Sequence, residues 1–259
     1  MKSKRLQFTG SLGYKLSAIL DLPDEGNASA FAIFAHCFTC NKNYKIFNSI
    51  NQVLTQHKFG VLRFDFTGLG ASQGSFGETN LSSNVGDIIA AAEFLELNYE
   101  APEILIGHSL GGAAAIHAAE RLSSCKAVVT IATPSNLASI RSLLMSKKNE
   151  LGKNGEADIY ISGREFKIKK QFLDDVENVD MERAMKNLNK PILICHSPMD
   201  ELVQIENAFQ LFSFAQQNKS FISMGRADHL LSNPQDGKYV GQLIATWSSQ
   251  YISQHSRSK

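Results

Sequence analysis

The chain lacks what several function classes need. No apolar run approaches the roughly 18 residues of a membrane-spanning helix. The basic start, Met1-Lys2-Ser3-Lys4-Arg5, has no apolar stretch behind it, so no secretory signal is expected. Four cysteines (Cys37, Cys40, Cys125 and Cys195) are too sparse for a disulfide framework, and a reduced, cytoplasmic protein is the expectation. An excess of one charge is also missing. Lys and Arg number 26 against 25 Asp and Glu, and the net +1 leaves no electrostatic footprint for nucleic acid or an anionic membrane. With no Walker lysine, dinucleotide fingerprint or zinc spacing, no cofactor and no metal are implied. No repeat, low-complexity tract or composition shift marks a linker, and residues 1–259 read as one domain.

What the chain has instead is alternation. Leu6–Thr9 and Lys15–Leu22 flank Gly10-Ser11-Leu12-Gly13 and read as an antiparallel hairpin. Strand-like runs then occupy 30–35, 60–66, 103–106, 127–132, 191–196 and 220–224. Helical patterns fall between them over 44–57, 85–97, 111–122 and 206–216, with 237–253 last. Continuous apolar strands separated by amphipathic helices argue for an α/β fold with a mostly parallel central sheet covered by helices on both faces. Between Pro134 and Pro191 the chain is longer than one crossover helix requires. Helices over 138–150, 171–176 and 181–188, and a hairpin pattern around Ser162-Gly163, predict a small cap insertion at about 137–190. It would lie over the C-terminal edge of the sheet, where ligands bind in open α/β folds.

The pattern Gly-x-Ser-x-Gly occurs twice, at Gly107-His108-Ser109-Leu110-Gly111 and at Gly70-Ala71-Ser72-Gln73-Gly74. A chain this long carries it by chance on the order of once in ten sequences, so context must separate the two. The run Ile104-Leu105-Ile106 precedes the first copy and the small-residue run Ala113-Ala114-Ala115-Ile116 follows it. Strand, sharp turn and helix make a nucleophile elbow, with Ser109 lifted at the turn and its flanking glycines letting strand and helix pass closely. Ser72 sits in a Gly/Ser loop without those neighbours and reads as loop.

A nucleophilic serine needs a base and a group to orient the base, in chain order Ser…Asp/Glu…His for this setting. Asp200 follows the strand over 191–196, and His229 follows the strand over 220–224. Both are therefore predicted at the same sheet edge as Ser109. Glu201 is an adjacent competitor, whereas His36, His57, His108, His117, His196 and His255 suit the base role less well, and Asp228 reads as structural. One oxyanion donor is expected from the backbone N–H of Leu110 at the helix start. The second is expected from Phe38, in His36-Cys37-Phe38-Thr39-Cys40 directly after an early central strand, with His36 bracing that loop. Cys37-x-x-Cys40 reads as two reduced side chains, because its surroundings do not form a thioredoxin-like setting. The basic residues Lys147, Lys148, Lys153, Arg164, Lys167, Lys169 and Lys170 of the insertion read as a solvated face, the alternative being a site for anionic acyl groups.

Ser109, Asp200, His229, the His36-Cys37-Phe38-Thr39 loop and Arg63-Phe64-Asp65-Phe66-Thr67-Gly68 together resemble the serine α/β-hydrolase superfamily. The likeness is nearer to one branch, the hydrolase half of bifunctional α/β-hydrolase/OsmC proteins. It is carried by His36–Cys40, Thr79–Asp87, Lys170–Asp175 and Ala227–Leu231. The wider superfamily has Gly where this chain has Cys37. The resemblance implies the α/β-hydrolase fold, hydrolysis of small to medium carboxylic esters through an acyl-enzyme on Ser109, and no cofactor. Thioester or short-peptide hydrolysis by the same residues are alternatives, as is a non-catalytic partner of an OsmC-type peroxidase. The chain ends just after its last helix, as a hydrolase standing alone would.

Overall fold

A computed structural model describes residues 1–161, 163–216 and 218–252. The chain begins with strands β1 (Lys2–Thr9), β2 (Lys15–Leu22) and β3 (Ala30–Ala35), then helix α1 (Lys45–Gln56) and β4 (Phe59–Phe64). A single 3-10 turn (Phe76–Glu78) leads to α2 (Leu81–Asn98), β5 (Pro102–His108), α3 (Leu110–Arg121) and β6 (Ala127–Ile131). An inserted segment carries α4 (Ala138–Met145), α5 (Lys148–Asn154), β7 (Glu156–Ile161), β8 (Arg164–Lys169), α6 (Lys170–Glu177) and α7 (Met181–Asn187). The chain closes with β9 (Ile192–His196), α8 (Glu206–Phe214), β10 (Lys219–Ser223) and α9 (Pro234–Ser248).

Eight strands form the main sheet in the order β1-β2-β4-β3-β5-β6-β9-β10, and β7 pairs with β8 in a separate antiparallel hairpin. β2 runs antiparallel to both neighbours, while β3, β4, β5, β6, β9 and β10 pair in parallel. Every residue of β3, β4, β6 and β9 is buried, as strands covered on both faces must be. One face packs on α2 and α3 through residues such as Leu105, Val128, Ile88 and Ile116. The other packs on α1 and α9 through Phe34, Phe47, Ile50 and Ile244. Phe34 and Phe47 meet edge to face at 4.6 Å, a geometry worth about 0.5–1.5 kcal/mol beyond the area buried.

Element boundaries depart from the sequence pattern where polar groups decide them. β1 begins at Lys2 instead of Leu6, because ladder pairing with β2 runs from Lys2 opposite Leu22 to Thr9 opposite Lys15, and an edge strand tolerates exposed lysines. α2 starts four residues early, at Leu81. The Asn80 side chain accepts from Ser83 N–H at 2.8 Å, and Ser83 Oγ accepts from Asn80 N–H at 2.9 Å, a closed capping box. Asn84 therefore lies inside the helix. Residues 138–150, expected as one helix, are divided between α4 and α5. α9 begins at Pro234, capped by Asn233, and ends at Ser248. Ser162 of the expected hairpin turn and Ser253 of the expected last helix lie outside the described residues. Among the described residues no helix is long and apolar enough to cross a membrane.

Candidate active site

Parallel strands end together, so the loops after β3, β5, β9 and β10 converge at one sheet edge. β5 delivers Ser109 at a turn whose serine takes φ +54° and ψ −124°, between the strand and the first residue of α3. A Cβ on Gly107 would lie 2.4 Å from Gly111 O and from Gly112 Cα. One on Gly111 would lie 2.3 Å from His36 O. Glycine is required at both for close approach of strand, helix and the loop after β3. Leu110 begins α3, so its N–H has no intrahelical acceptor.

The loop after β9 holds Asp200 and the loop after β10 holds His229. His229 Nδ1–H donates to Asp200 Oδ2 at 2.8 Å, and both groups are buried. Asp200 Oδ1 accepts from the N–H groups of Leu202 at 3.0 Å and Val203 at 2.9 Å. Burial pushes the Asp200 carboxyl up, but the bonds from His229, Val203 and Leu202 and the neighbouring imidazole outweigh it and hold the group below its ordinary value. Glu201, the adjacent competitor, is exposed. Asp228 accepts from Ser232 N–H at 2.8 Å and shapes its own loop.

Two further histidines support these loops. His108 Nε2–H donates to the His229 carbonyl at 2.7 Å, and its burial pushes its pKa down to about 3. His196 Nε2–H donates to Val203 O at 2.7 Å, tying the Asp200 loop to the end of β9. Sequence reasoning set both aside as bases without finding these tasks, since nothing local in the sequence signals a bond to a loop carbonyl. His57 bonds Gln242 at the surface, and His255 lies outside the described residues.

The loop after β3 crosses the front of the elbow. Phe66 N–H donates to His36 Nε2 at 3.2 Å and His36 Nδ1–H donates to Cys37 O at 2.8 Å, so this buried imidazole is a neutral brace, its pKa pushed down by burial to about 4. Lys42 secures the far end. Its N–H and Nζ bond the Asp65 carboxylate at 2.7 and 2.5 Å, and its carbonyl accepts from Arg63 at 2.5 Å. Phe38 N–H meets no acceptor among the described residues. The expectation that Cys37 and Cys40 are free thiols is corrected: they form a disulfide, their Cα atoms 5.3 Å apart. Thr39, at φ +62°, turns the chain so that the two side chains meet. The spacing alone did not show that turn.

Ser109, Leu110, His229 and the whole Cys37–Cys40 loop line one cavity of about 350 Å³. Its remaining wall is mostly apolar: Pro134, Leu137, Leu202, Val203 and Leu230, with Ile140 and Ile161 from the inserted segment. None of the insertion's basic residues lines it. Lys147 pairs with Glu150, Lys167 with Glu156 and Asp158, Lys169 with Glu78, and Lys170 with Asp174. That arrangement removes the basis for an anionic acyl site. Among the described residues no group of three or more His, Cys, Asp or Glu is placed to hold a metal ion.

An esterase domain of a Rhodothermus marinus protein is 43% identical to this chain, and the match covers 98% of this chain and 100% of that one with a TM-score of 0.80. The chain belongs to the serine α/β-hydrolase superfamily. A family model described as serine aminopeptidase, S33, matches residues 28–153 of this hydrolase. Mouse palmitoyl-protein thioesterase ABHD10, a mitochondrial protein, is 26% identical over 156 residues, 58% of this chain and 52% of its own. The hydrolase thus spans about half the length of that curated relative. Rat monoglyceride lipase is 27% identical over 240 residues, 80% of this chain and 78% of its own.

Proposed function

We propose that the protein is a serine hydrolase of uncharged carboxylic esters with small to medium, apolar acyl groups. The observation that carries this reading is the shared cavity. Ser109, on a strained strand-to-helix turn, and His229, held through Nδ1 by a buried Asp200, face the same apolar space. With its Nδ1 proton committed to Asp200, the imidazole keeps Nε2 as a base for the Ser109 hydroxyl. Attack on an ester carbonyl gives a tetrahedral oxyanion, stabilised by the N–H groups of Leu110 and Phe38, each worth about 2.7–4 kcal/mol. His229 then protonates the departing alcohol, and water repeats the cycle on the acyl-enzyme. The inserted segment acts as a cap in this reading, since Ser139, Ile140 and Ile161 close part of the acyl cavity.

The relatives support ester chemistry by their printed names: an esterase domain, a lipase and a palmitoyl-protein thioesterase. The last of these favours a second reading, hydrolysis of acyl thioesters by the same residues. The test is labelling with a fluorophosphonate followed by peptide mapping, with competing turnover of p-nitrophenyl esters and acyl-CoA. Adduct on Ser109 and faster ester turnover are expected. Faster acyl-CoA turnover would move the assignment to the thioester reading, and an unlabelled Ser109 would defeat both.

A further inference from the structure

We infer that Arg164, at the start of β8, is a positioning residue for the oxyanion loop, holding the Phe38 N–H donor in place from the inserted segment. The inference rests on the serine-hydrolase reading above. The loop needs holding. Thr39 is β-branched yet sits at φ +62°, a conformation that persists only when its surroundings impose it. The ends of the loop are fixed from the sheet side by His36 and Lys42, but its middle is fixed from the insertion. The Arg164 guanidinium donates to the Thr39 carbonyl, 125 positions away in sequence. The same guanidinium lies over the Phe166 ring at 5.3 Å, which limits its freedom and aims it.

An aromatic chain makes the same connection through side chains. Phe166 packs on Phe76 at 4.9 Å, Phe76 on Phe38 at 5.6 Å, and Phe38 on Phe172 of α6 at 5.8 Å with rings 27° apart. Phe38 is therefore gripped on two sides, one of them by the insertion, while it lines the cavity beside Ser109. The other basic residues nearby behave differently. Lys147, Lys167, Lys169 and Lys170 each reach a carboxylate, whereas Arg164 reaches a strained carbonyl of the loop that lines the site.

A positioning role and a substrate-binding role separate in kinetics. Losing a positioned donor weakens the transition state and spares the ground state, so kcat falls with KM unchanged. The variants are Arg164→Met, which keeps the stem and loses the donor, and Arg164→Lys, which keeps one charged donor without the planar fork. We expect kcat for a p-nitrophenyl ester to fall about tenfold in Arg164→Met, the effect of one charge-assisted hydrogen bond, with KM within twofold. Arg164→Lys should recover part of the loss. Affinity for a trifluoromethyl ketone, which adds Ser109 to form a tetrahedral oxyanion, should weaken by the same factor as kcat in a variant that remains folded. Wild-type kcat and ketone affinity in Arg164→Met, or a raised KM at constant kcat, would overturn the positioning role alone. Absence of both ester turnover and fluorophosphonate labelling in the wild type would instead defeat the hydrolase reading beneath it.

Discussion

The two copies of Gly-x-Ser-x-Gly use glycine for different physical reasons. In Gly70-Ala71-Ser72-Gln73-Gly74 both glycines carry positive φ, +56° and +92°, and the serine is ordinary backbone. In Gly107-His108-Ser109-Leu110-Gly111 the glycines have ordinary φ and the serine carries the strain, at +54°. The first loop needs glycine for conformation at both positions, and at Gly70 also for space, since a Cβ there would lie 2.3 Å from the Asp65 carboxylate. The second needs it for space, because backbone atoms lie 2.3–2.4 Å from where a Cβ would sit. The hydroxyls differ to match. Ser72 Oγ donates to Asp65 O at 2.6 Å and accepts from Ser17 N–H at 2.8 Å, stitching its loop to β2. Ser109 Oγ has no hydrogen bond among the described residues and faces the cavity. A serine with both its bonding directions committed is a staple, and one left uncommitted on a strained turn is available for chemistry.

The largest expected effect lies in that contrast. Ser109→Ala should lower kcat for ester hydrolysis by at least about 10³-fold with the fold intact. Ser72→Ala should keep activity within twofold while losing about 1–2 kcal/mol of stability in urea unfolding. Comparable loss of turnover in both variants would break the distinction. Next in size, Gly111→Ala should cost about 3 kcal/mol or more, because its Cβ would meet rigid backbone. Gly74→Ala should cost less, at least about 1–2 kcal/mol for a left-handed residue, since the atoms nearest its Cβ belong to the side chains of Thr67 and Tyr14 and not to backbone. Equal midpoints for the two would contradict the space-versus-conformation account.

A separate readout is a pH dependence of stability, to which the buried His108 and His36 contribute. Burial pushes His108 down to about 3 and His36 to about 4, from an ordinary 6.5. Both are neutral in the fold and take up protons in the unfolded chain below pH 6.5, so their contribution to stability is lost as pH falls from 6.5 toward 4. Urea midpoints measured between pH 7 and 4.5 should fall, and fall less steeply in His108→Leu. An unchanged slope in that variant would remove His108 from the account.

Much of this architecture was legible because it rests on local pattern. Ala30–Ala35 is apolar without a break and Ala127–Ile131 is broken only by Thr130, and such short runs between turn signals suit strands buried on both faces. The strand before Ser109 and the helix after it were equally readable, as was the placement of Asp200 and His229 after later parallel strands. What sequence did not disclose depends on tertiary approach. The Cys37–Cys40 link follows from the backbone turn at Thr39, and Arg164 was indistinguishable from its lysine neighbours until the β7–β8 hairpin docked on the loop after β3. His108 and His196 looked like rejected bases because their acceptors are loop carbonyls, His229 O on a distant loop and Val203 O seven residues on, which leave no local pattern. The start of α2 was missed for a smaller reason, since the Asn80–Ser83 box lies ahead of the apolar periodicity that marks the helix.

The buried polar chain beside the loop after β3 has a consequence for how the sheet assembles. Arg63 Nε–H donates to Asp21 Oδ2 at 2.7 Å between β4 and β2, Asn51 and Ser3 also bond Asp21, and Arg63 reaches on to the Lys42 carbonyl. In the antiparallel ladder Ile19 faces Arg63 and Asp21 faces Val61, a diagonal pair on one face. A slip of one residue would turn Asp21 to the opposite face and strand two charges in the interior, at several kcal/mol each. Apolar side chains tolerate such a slip far better than charges do. The salt bridge therefore acts as an alignment key for the one antiparallel strand of the main sheet, admitting a single pairing of β2 with β4.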